Sequence, residues 1–130
     1  VGAPQIRNYI DLDTPLPRAP EFKYTIGARH TLPLGNGGAV VTNVDYAWTD
    51  RQQTLAEAIQ PLVPAYGLLN GRVQYNAPDN RWSLAVFGNN LTNEFYVLNE
   101  TAYDIGLTAG PRLVDPGRPR EFGVELRFNF

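Results

Sequence analysis

Apolar and polar residues alternate with a period of two along most of this chain. Residues 22–32 place Phe22, Tyr24, Ile26, Ala28, His30 and Leu32 on one side of an extended strand, and Lys23, Thr25, Gly27, Arg29 and Thr31 on the other. From 39 to 51, Val40, Thr42, Val44, Tyr46 and Trp48 oppose Val41, Asn43, Asp45, Ala47, Thr49 and Arg51. Residues 68–76 set Leu69, Gly71, Val73 and Tyr75 against Leu68, Asn70, Arg72, Gln74 and Asn76, and residues 82–90 set Trp82, Leu84, Val86 and Gly88 against Ser83, Ala85, Phe87 and Asn89, with Phe87 out of pattern. The C-terminal run carries Phe122, Val124, Leu126, Phe128 and Phe130 on one face and Gly123, Glu125, Arg127 and Asn129 on the other. The spacing predicts strands at 22–32, 39–51, 68–76, 82–90 and 120–130, antiparallel through their connections.

Those connections alternate in length: short at 33–38 and 77–80, where Gly35-Asn36-Gly37-Gly38 and Ala77-Pro78-Asp79-Asn80 read as tight turns, and long at 51–66 and 91–118. Short turns at one end and long loops at the other are the habit of a bacterial outer-membrane barrel, short side in the periplasm. On that reading Tyr75, Trp82, Phe128, Phe130 and His30 gather at the periplasmic end. Phe22, Tyr24, Tyr46, Trp48 and Phe122 gather at the outer end, as two aromatic girdles would. A soluble antiparallel sheet with one face on a core produces the same alternation. Charge separates the two: Lys23, Arg29, Asp45, Arg51, Arg72, Glu121, Glu125 and Arg127 all fall on the face opposite the apolar comb. A cation on the lipid side near mid-membrane costs roughly 2–4 kcal/mol, and the pattern obeys that penalty. In water, a C-terminal strand with such an apolar comb would invite aggregation.

Composition narrows the picture further. The chain has 130 residues, no Cys and no Met, so it has neither a disulfide framework nor a cysteine metal site. Aromatic residues make up 12% and charged residues only 18%, a balance closer to a strand-rich protein than to a helical bundle. No run approaches the ~20 apolar residues of a membrane helix, but barrel strands need only ~9–11 alternating ones, so a mean hydropathy of -0.29 is compatible with a membrane wall. A net charge of -2 and the absence of a basic run argue against nucleic acid as a partner.

The residues also resemble a known family. Leu16-Pro17-Arg18-Ala19-Pro20-Glu21-Phe22-Lys23-Tyr24-Thr25-Ile26-Gly27, the run Leu68 to Tyr75, the run Trp82 to Tyr96 with Asn90-Leu91-Thr92-Asn93, and the run Pro116 to Phe130 are similar in order and spacing to the C-terminal part of TonB-dependent outer-membrane receptors. That resemblance implies an all-β transmembrane barrel of about 22 strands, of which this chain supplies five, with a plug filling the lumen. It implies residues 1–19 as an extracellular loop region and 20–130 as barrel strands. Further implications are localisation in the outer membrane of a Gram-negative bacterium, contact with outer-membrane lipid, and a small-molecule ligand such as a siderophore. Two partners follow as well: a TonB-type energy-coupling protein, engaged through a segment ahead of the plug, and the barrel assembly machinery. The terminal comb Phe122, Val124, Leu126, Phe128 and Phe130 resembles the signal that machinery reads, by strand addition to an open edge. Neither plug nor coupling segment is among these residues, and five strands do not close such a barrel, so the chain is expected to be a fragment.

Catalytic constellations are lacking: no G-x-S-x-G, no H-x-x-x-H and no phosphate loop occur, no cofactor or metal is expected, and no enzymatic activity is implied. The single histidine, His30, reads as an interfacial ring. Glu121 and Glu125 read as partners of Arg127 or Arg72 across the wall rather than as an acid/base pair. Thr54 and Glu57 form a capping box, predicting one or two helical turns within the first long loop. Ligand-contact candidates in the loops are Tyr103, Asp104 and Arg112, with Tyr9, Asp11, Asp13 and Arg18 nearer the N-terminus; each also reads as a solvated loop residue. Three function classes stay open at this stage: an active importer for a scarce nutrient, another barrel such as a porin or autotransporter translocator, and a soluble β-sheet binding module or hydrolase domain.

Overall fold

In the computed structural model, residues 16–53, 62–105 and 108–129 are described. They are all-β, with no α-helix among them. Five long strands, β1 (Lys23–Pro33), β2 (Ala39–Thr49), β5 (Tyr66–Asn76), β6 (Trp82–Asn89) and β9 (Glu121–Phe128), form one open antiparallel sheet in the order β1-β2-β5-β6-β9. Two short ribbons complete the fold: β3 (Gln52–Gln53) with β4 (Leu62–Val63), and β7 (Val97–Ile105) with β8 (Thr108–Pro116).

The five sequence-expected strands are therefore present, with adjusted limits: β5 begins at Tyr66, β2 ends at Thr49 so that Arg51 lies beyond it, and β9 spans Glu121 to Phe128. Phe130 and the Thr54–Glu57 capping box lie outside the described residues. Treating 91–118 as a plain loop requires correction, because most of it is the β7–β8 ribbon, and 51–66 carries the β3–β4 pair.

Turn chemistry fixes the meander. Gly37 takes φ 84 between β1 and β2, and the Gly37 N–H donates to the Leu34 carbonyl at 3.1 Å. Between β5 and β6, Pro78–Asn80 form a 3-10 turn in which Asp79 and Asn80 both have positive φ, a region that Asn and Asp tolerate. Both short turns lie at one end of the sheet, and both ribbons emerge from the other.

Register determines what each face becomes. The pairs Ile26↔Tyr46, Ala28↔Val44, Thr42↔Val73, Tyr75↔Leu84, Val86↔Val124 and Leu84↔Leu126 align the apolar set of every strand with that of its neighbour. A shift of one residue at any pair would have mixed the faces. No described element covers the aligned face: Ile26, Val44, Val73, Leu84 and Leu126 are 67, 42, 49, 40 and 56% exposed. Five strands about 4.8 Å apart and about 30 Å long make an apolar area on the order of 700 Å². That exceeds the ~300–600 Å² of the largest patch on a typical soluble monomer. Among the described residues buried apolar side chains are few, and two of them, Val41 and Ala85, sit on the polar face.

Candidate functional site

Aromatic rings mark both ends of the apolar face. Near the ribbon end, Phe22, Tyr24, Tyr46 and Trp48 form a continuous group, with ring centroids 5.6 Å apart for Phe22–Tyr24, 5.7 Å for the stacked Tyr24–Trp48 and 6.3 Å for Tyr24–Tyr46. Near the turn end, Tyr75 and Trp82 meet at 5.3 Å, and Phe128 is the register partner of Trp82. Phe122 shares the ribbon end with the first group but stands on the opposite edge strand, where the Arg120 guanidinium lies over its ring at 5.6 Å. His30 is exposed on β1 opposite Thr42, away from the Tyr75–Trp82 pair.

Of the expected assembly comb, Phe122, Val124, Leu126 and Phe128 are all more than half exposed on the apolar side of β9, whose outer edge has no neighbour among the described strands.

The opposite face is a hydrogen-bonded polar ladder. Arg72 donates through both terminal nitrogens to Glu125, at 3.4 and 3.2 Å, and to Gln74 Oε1 at 3.3 Å from Nε and 3.0 Å from one terminal nitrogen. Gln74 passes the chain to Asn76 at 2.7 Å, and Arg127 reaches Glu125 at 3.2 Å. Glu125 thus serves two arginines, as expected of a structural carboxylate, while Glu121 lies 3.8 Å from Arg118. These pairs are partly solvated, so their geometry organises the face more than their energy stabilises it. Higher on the same face Asn70 donates to Asp45 at 2.8 Å. Between the two groups lies an open recess of about 300 Å³ bordered by Asn43, Asp45, Arg72, Phe87, Asn89 and Glu125.

The irregular Phe87 is explained here. On β9 it faces Gly123, where even a Cβ would collide with the Phe87 ring, so the aromatic side chain fills space that the glycine leaves and Arg72 lies over it at 5.9 Å.

Sequence reasoning used Asn90-Leu91-Thr92-Asn93 only for its resemblance and missed its structural task. Asn90 is 3% exposed with φ 51, and its backbone N–H donates to Asn70 Oδ1 at 3.0 Å. The Asn90 side-chain amide donates to the carbonyls of Glu94 at 2.9 Å and Arg118 at 3.2 Å, and its Oδ1 accepts from the Glu94 N–H at 2.8 Å. Asn93, φ 54, accepts from the Arg120 N–H at 3.2 Å. Together they clamp the exit of β6 to the entry of β9. Leu91 folds back over the apolar side of Gly71, where a Cβ would sit 3.2 Å from it. Two asparagines bracketing two residues after a strand were the available signal, since Asn accepts left-handed φ and caps loops.

Among the ligand-contact candidates, Tyr103 and Asp104 belong to strand β7 and Arg112 to β8, where Arg112 pairs with Glu100 at 3.1 Å. Arg18, φ 57, donates its backbone N–H to the Gln53 carbonyl at 2.7 Å, tying the N-terminal approach to the β3–β4 ribbon. Tyr9, Asp11 and Asp13 lie outside the described residues. Of the described candidates, Arg18 joins the β3–β4 ribbon, and Tyr103, Asp104 and Arg112 share the paired β7–β8 ribbon. Among the described residues no cluster of His, Asp and Glu suits a metal ion, and no helix is long and apolar enough to cross a membrane. A scan against protein-family models, a search of curated proteins and a search of solved structures return no match.

Proposed function

We propose that the chain is the C-terminal barrel wall of a TonB-dependent outer-membrane receptor. The parent protein takes up a scarce nutrient, an iron-siderophore, a cobalamin-like compound or an oligosaccharide, past a plug pulled by the energy-coupling protein. One observation carries the reading: strand register gathers every apolar comb onto a single face that no described element covers, with aromatic groups at both ends, and sends the in-strand charges to the other face. The 11-residue strands supply about 36 Å of extended chain, which at a tilt of about 40° gives a height of about 28 Å, close to the ~25 Å apolar band of outer-membrane barrels. The residues from Asn90 to Tyr96 and from Pro116 onward support the receptor class over a porin, because their resemblance is to that class. The mechanism involves binding and conformational gating, with no covalent step.

The test expresses the complete reading frame that contains this chain in a Gram-negative host. The protein is expected in the outer-membrane fraction, and uptake of one member of a panel of ferric siderophores, cobalamin and oligosaccharides is expected to stop when the coupling protein is deleted. Uptake that persists without the coupling protein makes it a passive pore. Recovery as a soluble monomer overturns the reading entirely.

A further inference from the structure

Arg120 occupies the parity of Phe122, Val124, Leu126 and Phe128, so it extends the apolar comb of β9 by one position at the ribbon-end rim. Two arginines in the described structure lie over phenylalanine rings, and they differ in one respect. Arg72, over Phe87 on the polar face, is neutralised by Glu125 at 3.2 Å. Arg120, over Phe122 on the apolar face, is exposed and has no carboxylate partner among the described residues. Its neighbour Arg118 is already engaged with Glu121. Backbone position is fixed too, because the Arg120 N–H is held by Asn93 Oδ1 within the asparagine clamp.

We propose that Arg120 and Phe122 form a rim site for an anionic lipid headgroup: the Phe122 ring lies among the upper acyl carbons while the guanidinium donates to the oxygens of the headgroup phosphate. The inference rests on the proposed membrane reading and adds a specific lipid contact to it. Charge complementarity selects the occupant, since a guanidinium standing over a ring at the border of an apolar band faces headgroup phosphates and matches their paired oxygens. The opposing end of the sheet lacks an equivalent arrangement among the described residues.

The test uses protein from the complete reading frame, refolded into phosphatidylcholine bicelles containing phosphatidylglycerol, and measures phosphatidylglycerol retained through gel filtration. Arg120→Gln is expected to lower retention about fivefold, the effect of one cation near the surface on an anionic lipid. Arg120→Lys should keep part of it. Arg29→Gln removes the same charge from the polar face and should leave retention at the wild-type level. Equal retention by wild type and Arg120→Gln overturns the proposal, as does displacement of the lipid by inorganic phosphate, which would mark a free-anion site. If no variant enters the bicelles, the membrane reading itself fails, an outcome separate from failure of the Arg120 site.

Discussion

At the scale of single residues, the least replaceable side chain is Asn90. It combines a left-handed backbone with three side-chain hydrogen bonds to main-chain groups, all at a 3% exposed position. Alanine there loses those bonds and strains φ, so Asn90→Ala is expected to cost roughly 3–5 kcal/mol in urea unfolding of the lipid-refolded protein. Glycine keeps the backbone angle, and Asn90→Gly should be about 1 kcal/mol less damaging than alanine. Equal unfolding midpoints for wild type and Asn90→Ala would show that the clamp is dispensable. The alternation visible in the sequence carries no information about such a residue, because left-handed φ and long-range amide bonds leave no period. Phe87 was legible as an exception but not as a solution; its reason, Gly123, is 36 positions away and becomes apparent only when β6 and β9 are in register.

At the scale of elements, the long strands were readable because each carries one face without charge, which marks both period and register. The β7–β8 ribbon was not. Its sequence holds Gly110, Pro111 and Pro116, and its pairing slips between Val97 and Asn99 and again between Ala102 and Asp104, so no single alternation runs through it. A two-stranded element away from the main sheet has no face whose burial dictates its pattern, and the turn residues made it look like a loop. The same asymmetry between faces yields a prediction for β5. Val73 stands mid-strand on the apolar side, and Gln74, its neighbour, on the polar side. Val73→Arg should destabilise the lipid-refolded protein by about 2–4 kcal/mol, whereas Gln74→Arg, which gives up the partly solvated hydrogen bonds to Arg72 and Asn76 but keeps its charge in water, should cost no more than about 1.5 kcal/mol. Matching losses from the two substitutions, measured by urea unfolding in the same lipid, would mean that hydrocarbon does not cover the Val73 face.

At the scale of the whole molecule, strand direction limits how the sheet completes itself. Counting along β1-β2-β5-β6-β9, each pair is antiparallel, so the two edge strands β1 and β9 both run from the ribbon end to the turn end. Joining those edges, within one copy or between copies related by rotation about a barrel axis, would produce a parallel seam. On the proposed barrel reading, in which an all-antiparallel bacterial barrel has an even number of strands, an odd number of further strands would stand between β9 and β1, and the strand meeting each edge would run from the turn end to the ribbon end. The polypeptide of 130 residues is therefore expected to fail to form a heat-modifiable, protease-resistant species in detergent on its own, and to form one when the remaining strands are supplied from the complete reading frame. Electrophoretic mobility before and after boiling provides the measurement. A protease-resistant monomer of the isolated polypeptide in detergent-free buffer would instead require the apolar face to be covered from within the chain. That outcome would reassign Ile26, Val44, Val73, Leu84 and Leu126 from a lipid-facing surface to a core.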